Sequence, residues 1–429
     1  MILLKLFYSQ ARMKEAKKNK TIVFETKLFE TKLFQTNNFS IFSKKLIMAR
    51  PFKYGKLVND DYYTNREKES KWLETQINAG INCMLISPRR WGKSSLVLHT
   101  SKRMKRKNKQ LVFCFIDLYN VRSEQEFLEL YSSALVKATS GSFEEAVRNV
   151  KSFFKQLVPS VNINPDPASE IELRFNWKEL KKNISEVLNL PEKIAKQKNI
   201  ELVVCVDEFQ NLSFLDDGIG FQKKLRAHWQ THQHITYLLY GSRRHLMLEF
   251  FTKSSMPFYK FGEILFLEKI KEQYWIPFIT GRFAATGKSI SNELAAGIAQ
   301  RMQNHPYFVQ QYAQAVWQAA GKKATAADME LALEDLMDQY SILYQKEADM
   351  LTNYQLNFLK ALCKKETAYT SQQVLQQYNL GTSTNVSRIK TALQNHEIID
   401  ILGKQISFND PMFEIWLKKR YFNMEYYNT

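Results

Sequence analysis

The chain is expected to fold as an α/β protein: a doubly wound parallel sheet, then a helical region, then a winged helix-turn-helix. Three observations predict this. Apolar runs of four to eight residues recur with helical stretches between them, the pattern of parallel strands buried on both faces. Three of these runs end in polar clusters, at residues 87–94, 207–208 and 242–244. The last part, 349–429, gives short helices and then a hairpin, in the order of a winged helix.

The elements follow in order. From Met48 to Ile81 the chain is polar with aromatic anchors (Phe52, Tyr54, Tyr62, Tyr63), and a helix carries Trp72, Leu73 and Ile77. The first strand, 81–86, enters Ser87-Pro88-Arg89-Arg90-Trp91-Gly92-Lys93-Ser94-Ser95, and a helix runs from Lys93 to Lys107. That helix ends in Lys102-Arg103-Met104-Lys105-Arg106-Lys107, cations that suit a helix C-terminus and point to a solvated end. Strands are expected at 111–118, 202–206 and 235–240. Residues 150–200 are an insertion: a loop or short hairpin at 158–167, then helices broken at Pro191. Residues 268–348 read as amphipathic helices interrupted at Asn304-His305-Pro306, a helical lid after a core spanning 48–267. Within 349–429 the hairpin is Ile398-Ile399-Asp400-Ile401-Leu402, Gly403-Lys404, Gln405-Ile406-Ser407-Phe408.

Ligands in such sheets bind beyond the carboxyl ends of the strands, where all three polar clusters lie. A strand, a short loop and a helix opening with Gly-Lys-Ser form a phosphate-binding loop, aiming backbone N–H groups, a helix N-terminus and one lysine at one point. Lys93 is expected on the β- and γ-phosphates of ATP and the Ser94 hydroxyl on Mg²⁺. Gly92 is needed because backbone passes close to phosphate there. Serine at 87 replaces the loop's first glycine, a position a small residue fills if its dihedrals permit. Arg89 and Arg90 are expected to contact phosphate or to pair with acidic residues, the second for at least one of them.

Asp207-Glu208 after four apolar residues is a Walker B pattern. Asp207 is expected to hold Mg²⁺, and Glu208 to orient or activate water. Ser242 and Arg243 end the next strand, where a polar group can position that water and an arginine can meet the γ-phosphate. The competing readings are a solvated surface turn at Arg243, Arg244 and His245, or Arg244 reaching a neighbouring subunit.

Bulk composition bounds the rest. The chain has 429 residues, 45% hydrophobic and 24% charged, which supports two to three packed domains and excludes a disordered or fibrous protein. The net charge of +18 suggests an anionic partner, nucleic acid first. Residues 1–47 hold ten Lys/Arg against three Glu and a direct repeat, Glu25-Thr26-Lys27-Leu28-Phe29 and Glu30-Thr31-Lys32-Leu33-Phe34. They are expected to be an upstream translation extension or a poorly ordered arm, with Met48 the natural start. Cys83, Cys114, Cys205 and Cys363 form no CxxC pair, so they read as buried reduced thiols of a cytoplasmic protein. No run approaches the ~20 apolar residues that span a bilayer. In the last domain, Val386, Ile389 and Leu393 are spaced for one buried helix face. Asn385, Arg388 and Lys390 point elsewhere, toward DNA unless the module serves only packing or protein contact.

From Met48 onward the chain resembles the archaeal-type ATPase family of the STAND/AAA+ P-loop NTPase class. The resemblance rests on Pro51-Phe52 with Arg66-Glu67, the 88–96 loop, Val206-Asp207-Glu208-Phe209-Gln210 and Gly241-Ser242-Arg243. It continues through Pro257-Phe258-Tyr259 and His305-Pro306-Tyr307 to Asp410-Pro411-Met412-Phe413 with Trp416. It implies ATP binding, a lid and use as a molecular switch, with Ser242-Arg243 as the sensor and Pro306 near the base. Asn65 and Asn304 stand where the family has glycine. Two functions follow: a Mg²⁺-dependent ATPase acting as a switch, or a nucleotide-gated DNA-binding regulator with negligible turnover. A protein-interaction scaffold, through a protein partner or as a homo-oligomer, is the third.

Overall fold

A computed structural model describes residues 50–57, 62–154, 162–163 and 173–424. The expectations for residues 1–47, and most of the 158–167 loop, lie outside the described residues. In chain order come α1 (Glu67–Asn78), β1 (Cys83–Ile86), α2 (Lys93–Lys107), β2 (Leu111–Asp117), α3 (Glu124–Thr139) and α4 (Phe143–Phe154). The insertion follows with β3 (Asn162–Ile163), β4 (Leu173–Arg174), α5 (Trp177–Lys182), α6 (Ile184–Leu188) and α7 (Leu190–Lys198). Then come β5 (Glu201–Asp207), a 3₁₀ turn (Phe209–Phe214), α8 (Gly218–Trp229), β6 (Ile235–Gly241), α9 (Arg244–Thr252) and β7 (Glu263–Phe266).

Five strands make one parallel sheet in the order β2-β5-β6-β1-β7. The apolar runs are strands because their alternate residues enter two different cores. Met84, Ile86, Val204 and Val206 face one, and Cys83, Leu85, Val203 and Cys205 face the other. α1 and α2 cover the second face through Leu73, Ile77, Leu96 and Met104. At the far end of α2, Arg103 and Lys107 pair with Glu74 of α1, so these cations complete a surface pair.

Two points differ from the sequence reading. β7 was not expected. It has four residues and half-exposed side chains, too short to show a period, and joins the sheet through Glu263 N–H to Asn82 O (2.9 Å) and Leu267 N–H to Ile86 O (3.0 Å). Pro191 breaks nothing. It sits in the first turn of α7, where its missing N–H is not needed, and the helices break at Asn183 and Asn189 instead.

The helical region holds α10 (Glu272–Ala284), α11 (Asn292–Arg301), α12 (Pro306–Ala319) and α13 (Ala326–Asp349). Asn304 and Gln303 both take left-handed backbone just before His305 caps α12. Asn65 is also left-handed. Asparagine tolerates this conformation better than most residues, which accounts for it where the family has glycine.

The winged helix follows: α14 (Asn353–Cys363), α15 (Gln372–Gln377), α16 (Ser383–Asn395), and the hairpin β8 (Ile399–Leu402) and β9 (Gln405–Phe408). Gly403 turns the hairpin at φ +60°. α17 (Pro411–Trp416) and a π turn (Leu417–Tyr421) close it. One apolar core joins the lid helices to the winged helix, from Trp275 through Tyr344 to Phe413 and Trp416. Phe52 enters the same core against Phe278 and Phe283, strapping the segment before α1 onto the lid. The four cysteines are buried and free, and no described helix is long and apolar enough to cross a membrane.

Candidate active site

The ends of β1, β6 and β5 lie side by side, so the three polar clusters meet at one edge of the sheet. After β1 the chain wraps around the N-terminus of α2. Arg90 (φ +63°) and Gly92 (φ +94°) carry the left-handed turns of this wrap, whereas Ser87 stays outside that region. That is why serine fits at 87. A Cβ at Gly92 would meet no protein atom within 4 Å, so the backbone angle is what demands glycine, and the space beyond it stays open.

Lys93 is buried and turned back on the loop. Its Nζ donates to Ser87 O and Pro88 O, both at 2.9 Å, and reaches Ser87 Oγ at 3.4 Å. Burial lowers its pKa to about 8, against the opposing pull of Glu208 and Asp207. Ser94 Oγ donates to Asp207 Oδ2 at 2.8 Å. Burial raises the Asp207 pKa to about 6, with Glu208 adding to it and the Ser94 bond and Lys93 opposing it. Glu208 is left-handed at φ +51°, its Oε2 accepting from Ser242 Oγ (2.9 Å) and Ser242 N–H (3.3 Å). Arg89 Nε lies 3.5 Å from Ser242 Oγ.

These groups surround a cavity of about 530 Å³. Of the expected residues, Arg89, Arg90, Gly92, Lys93, Ser94, Ser95, Asp207, Glu208, Ser242 and Pro306 line it. Ser87 and Pro88 act from behind by holding Lys93. Trp91 faces the other way, its ring beside His305 (6.2 Å) and under the Arg244 guanidinium (5.5 Å). The sequence reading missed Lys53, Tyr54, Tyr119, Tyr307 and Gln310, which also line the cavity. They belong to segments distant in sequence, and only two carry a signal: Tyr54 is an aromatic anchor and Tyr307 belongs to the His305-Pro306-Tyr307 motif. In the structure Tyr54 and Tyr307 meet edge to face at 5.6 Å with Arg90 over the Tyr307 ring.

Arg243 does not line this cavity. It turns into a second one, of about 420 Å³, between the sheet and the winged helix. There its Nε donates to Glu397 Oε1 at 2.8 Å, and Glu397 Oε2 takes Arg89 Nη1 at 3.0 Å. Arg244 is buried and donates to Asp400 Oδ2 at 2.5 Å. The alternative of Arg244 as a surface residue therefore fails: its partner lies in the same chain. Arg66, buried behind the loop, donates to Trp91 O (3.2 Å) and Glu268 O (2.8 Å), tying the loop to the start of the helical region.

On α16, Val386, Ile389 and Leu393 form the buried face as expected. Asn385 and Lys390 are not turned out for a groove. Asn385 Nδ2 donates to Leu380 O at 2.9 Å, and Lys390 Nζ lies 5.1 Å from the centre of the Tyr369 ring. Arg388 is exposed.

Residues 91–213 match the family model described as "KAP family P-loop domain", and residues 342–419 match that described as "Probable winged helix domain". The chain has the P-loop NTPase fold with a C-terminal winged helix domain. The resemblance to archaeal-type ATPases holds in the content and order of these parts. Among solved structures, the chain is similar to a Walker-type ATPase of Pyrococcus abyssi at 17% identity and a TM-score of 0.60, covering 86% of this chain and 99% of that one. It is also similar to the ADP form of the Aeropyrum pernix ORC2 protein (14% identity, 85% and 96% covered, TM-score 0.48). The Aeropyrum pernix ORC1 protein in complex with DNA matches at 12% identity (85% and 94% covered, TM-score 0.45). No curated protein sequence matches the chain.

Proposed function

We propose that this NTPase binds ATP with Mg²⁺ in the 530 Å³ cavity and hydrolyses it, using the cycle as a conformational switch. The observation that carries the reading is the convergence of Lys93, the Ser94–Asp207 pair and the Glu208–Ser242 pair on one cavity at the ends of three adjacent strands. The left-handed turns at Arg90 and Gly92 set the loop around the N-terminus of α2, where backbone N–H groups favour a phosphate. Tyr54 and Tyr307 offer ring surface for the base.

Ser94 Oγ and Asp207 Oδ2 are oxygen donors 2.8 Å apart, a set suited to Mg²⁺ that also takes waters and phosphate oxygens. Mg²⁺ bound there would neutralise phosphate charge. Lys93 does the same from the protein side. To reach phosphate its ammonium exchanges the carbonyls of Ser87 and Pro88 for phosphate oxygens. Glu208 orients water for attack on the γ-phosphorus and accepts its proton. Ser242 holds that carboxylate in place and Arg89, beside Ser242, faces the same end of the cavity.

The switch reading is supported by Glu397. A carboxylate of the winged helix holds Arg243 and also Arg89, which lines the nucleotide cavity and which a γ-phosphate would also attract. ATP then competes with Glu397 for Arg89, and the winged helix is the part that shifts. Lys93→Ala tests the site: nucleotide binding and turnover should both fall by at least tenfold. Normal binding and turnover in that variant would overturn the reading.

Duplex DNA is the second reading. The exposed side of α16 carries Thr384, Ser387, Arg388 and Thr391. With one cation on that face, any binding through it should depend weakly on salt.

A further inference from the structure

Gln210 lies two residues past Glu208 in the 3₁₀ turn, and its side chain folds back on that carboxylate. It is buried, and its Nε2 donates to Glu208 Oε2, the same oxygen that accepts from Ser242 Oγ and Ser242 N–H. Three donors thus converge on one carboxylate oxygen, which has two lone pairs. Backbone and anchors favour this arrangement. Glu208 takes left-handed backbone, which a non-glycine residue keeps only where its surroundings impose it. Phe209, between the two residues, is locked among Trp229, Phe250, Phe251 and Phe258. Asn211 N–H donates to Glu208 O at 2.9 Å and closes the turn.

The other end of the amide is costly. Gln210 Oε1 is buried with no hydrogen-bond partner among the described residues. It presses on Gly241, where a Cβ would come within 1.9 Å of it. A side chain needed only to fill this space would be apolar. The amide is retained together with a glycine that makes room for it, so its donor end is the part that matters.

We infer that Gln210 is a positioning residue for ATP hydrolysis: with Ser242 it saturates Glu208 Oε2 and leaves Oε1 to take the proton of the attacking water. The inference rests on the ATPase reading above. It also gives Gly241 a role, since any side chain there would push Gln210 off the carboxylate.

The test is steady-state ATP turnover for wild type, Gln210→Leu and Gln210→Glu, with nucleotide affinity measured on each. Leucine keeps the bulk and removes the donor. The expected result is a kcat at least about tenfold lower, with KM and nucleotide affinity within about twofold, since a small misplacement of a catalytic group costs rate rather than binding. Gln210→Glu keeps the shape of the side chain and replaces the donor by an acceptor, so its kcat should fall at least as far. A role in packing alone would leave this near-isosteric variant at the wild-type kcat. Wild-type kcat in both variants overturns the inference and leaves the ATPase reading intact. No turnover by the wild type overturns both.

Discussion

Glu397 in the winged helix and Arg243 at the end of β6 are joined by a 2.8 Å hydrogen bond across 154 residues of sequence. The second oxygen of Glu397 takes Arg89 of the phosphate loop at 3.0 Å. One carboxylate therefore connects the loop, the end of β6 and the winged helix. Glu397 itself has left-handed backbone (φ +59°), at the corner between α16 and β8 that aims it at the sheet.

Removing this carboxylate should favour the nucleotide. Arg89 and Arg243 are partly solvated, so each pair contributes roughly 1 kcal/mol or less. Glu397→Gln is expected to tighten ATP binding by up to about tenfold, with little change in ADP binding, because only the γ-phosphate competes for Arg89, the one of the two that lines the nucleotide cavity. Titration calorimetry with both nucleotides checks it, and equal changes for ATP and ADP would count against the competition.

The neighbouring pair acts differently. Arg244 and Asp400 are almost fully buried. Asp400→Ala strands the guanidinium without its partner, which typically costs about 3–5 kcal/mol. The winged helix should then loosen from the sheet, seen as faster hydrogen exchange in β8 and β9 and in α9, while exchange in β2 and β5 stays slow.

Proton linkage gives two opposite signs. The Asp207 pKa is raised to about 6 by burial, so near pH 6 much of it is protonated in the free protein. Bound Mg²⁺ favours the carboxylate, so Mg-ATP binding near pH 6 should release protons, and less so in Asp207→Asn. The Lys93 pKa is lowered to about 8, also by burial. Phosphate favours the ammonium, so binding near pH 8 should take up protons, and Lys93→Met should abolish the uptake. Calorimetry in buffers of different ionisation enthalpy reads both. The same sign at both pH values would contradict the assignment.

The base end of the cavity is tested separately. Tyr54→Ala removes ring surface while leaving the phosphate loop untouched. Affinity for ATP is expected to fall about tenfold, the loss of one aromatic contact, with kcat at saturation nearly unchanged. Fluorescence titration and turnover at high ATP measure the two.

The sheet was legible in the sequence because β1, β2, β5 and β6 are continuous apolar runs, and such runs need cover on both faces. β7 was not, since four half-exposed residues carry no pattern. Asp207, Glu208 and Ser242 were legible because each stands at or just past the end of an apolar strand, and Lys93 because the short loop after β1 ends in Gly-Lys-Ser at a helix start. The base-end residues were not: Tyr54 and Gln310 come together only because Phe52 is strapped onto the lid, Phe52 N–H donating to Gln314 and Lys53 N–H to Gln310. Asn385 and Lys390 show the same limit. Helix spacing places them off the buried face, yet it does not reveal Leu380 O or the Tyr369 ring waiting beside them. The pairing of Glu397 and Asp400 with three arginines was hidden for a related reason, since each charge alone reads as a solvated surface group.

Glu208 is proposed to drive hydrolysis at a site built to bind ATP, and single-turnover hydrolysis by Glu208→Gln beside the wild type decides this. The variant is expected to bind ATP with affinity near that of the wild type and to cleave it at least about 100-fold more slowly. Equal cleavage rates in the two proteins would rule that role out.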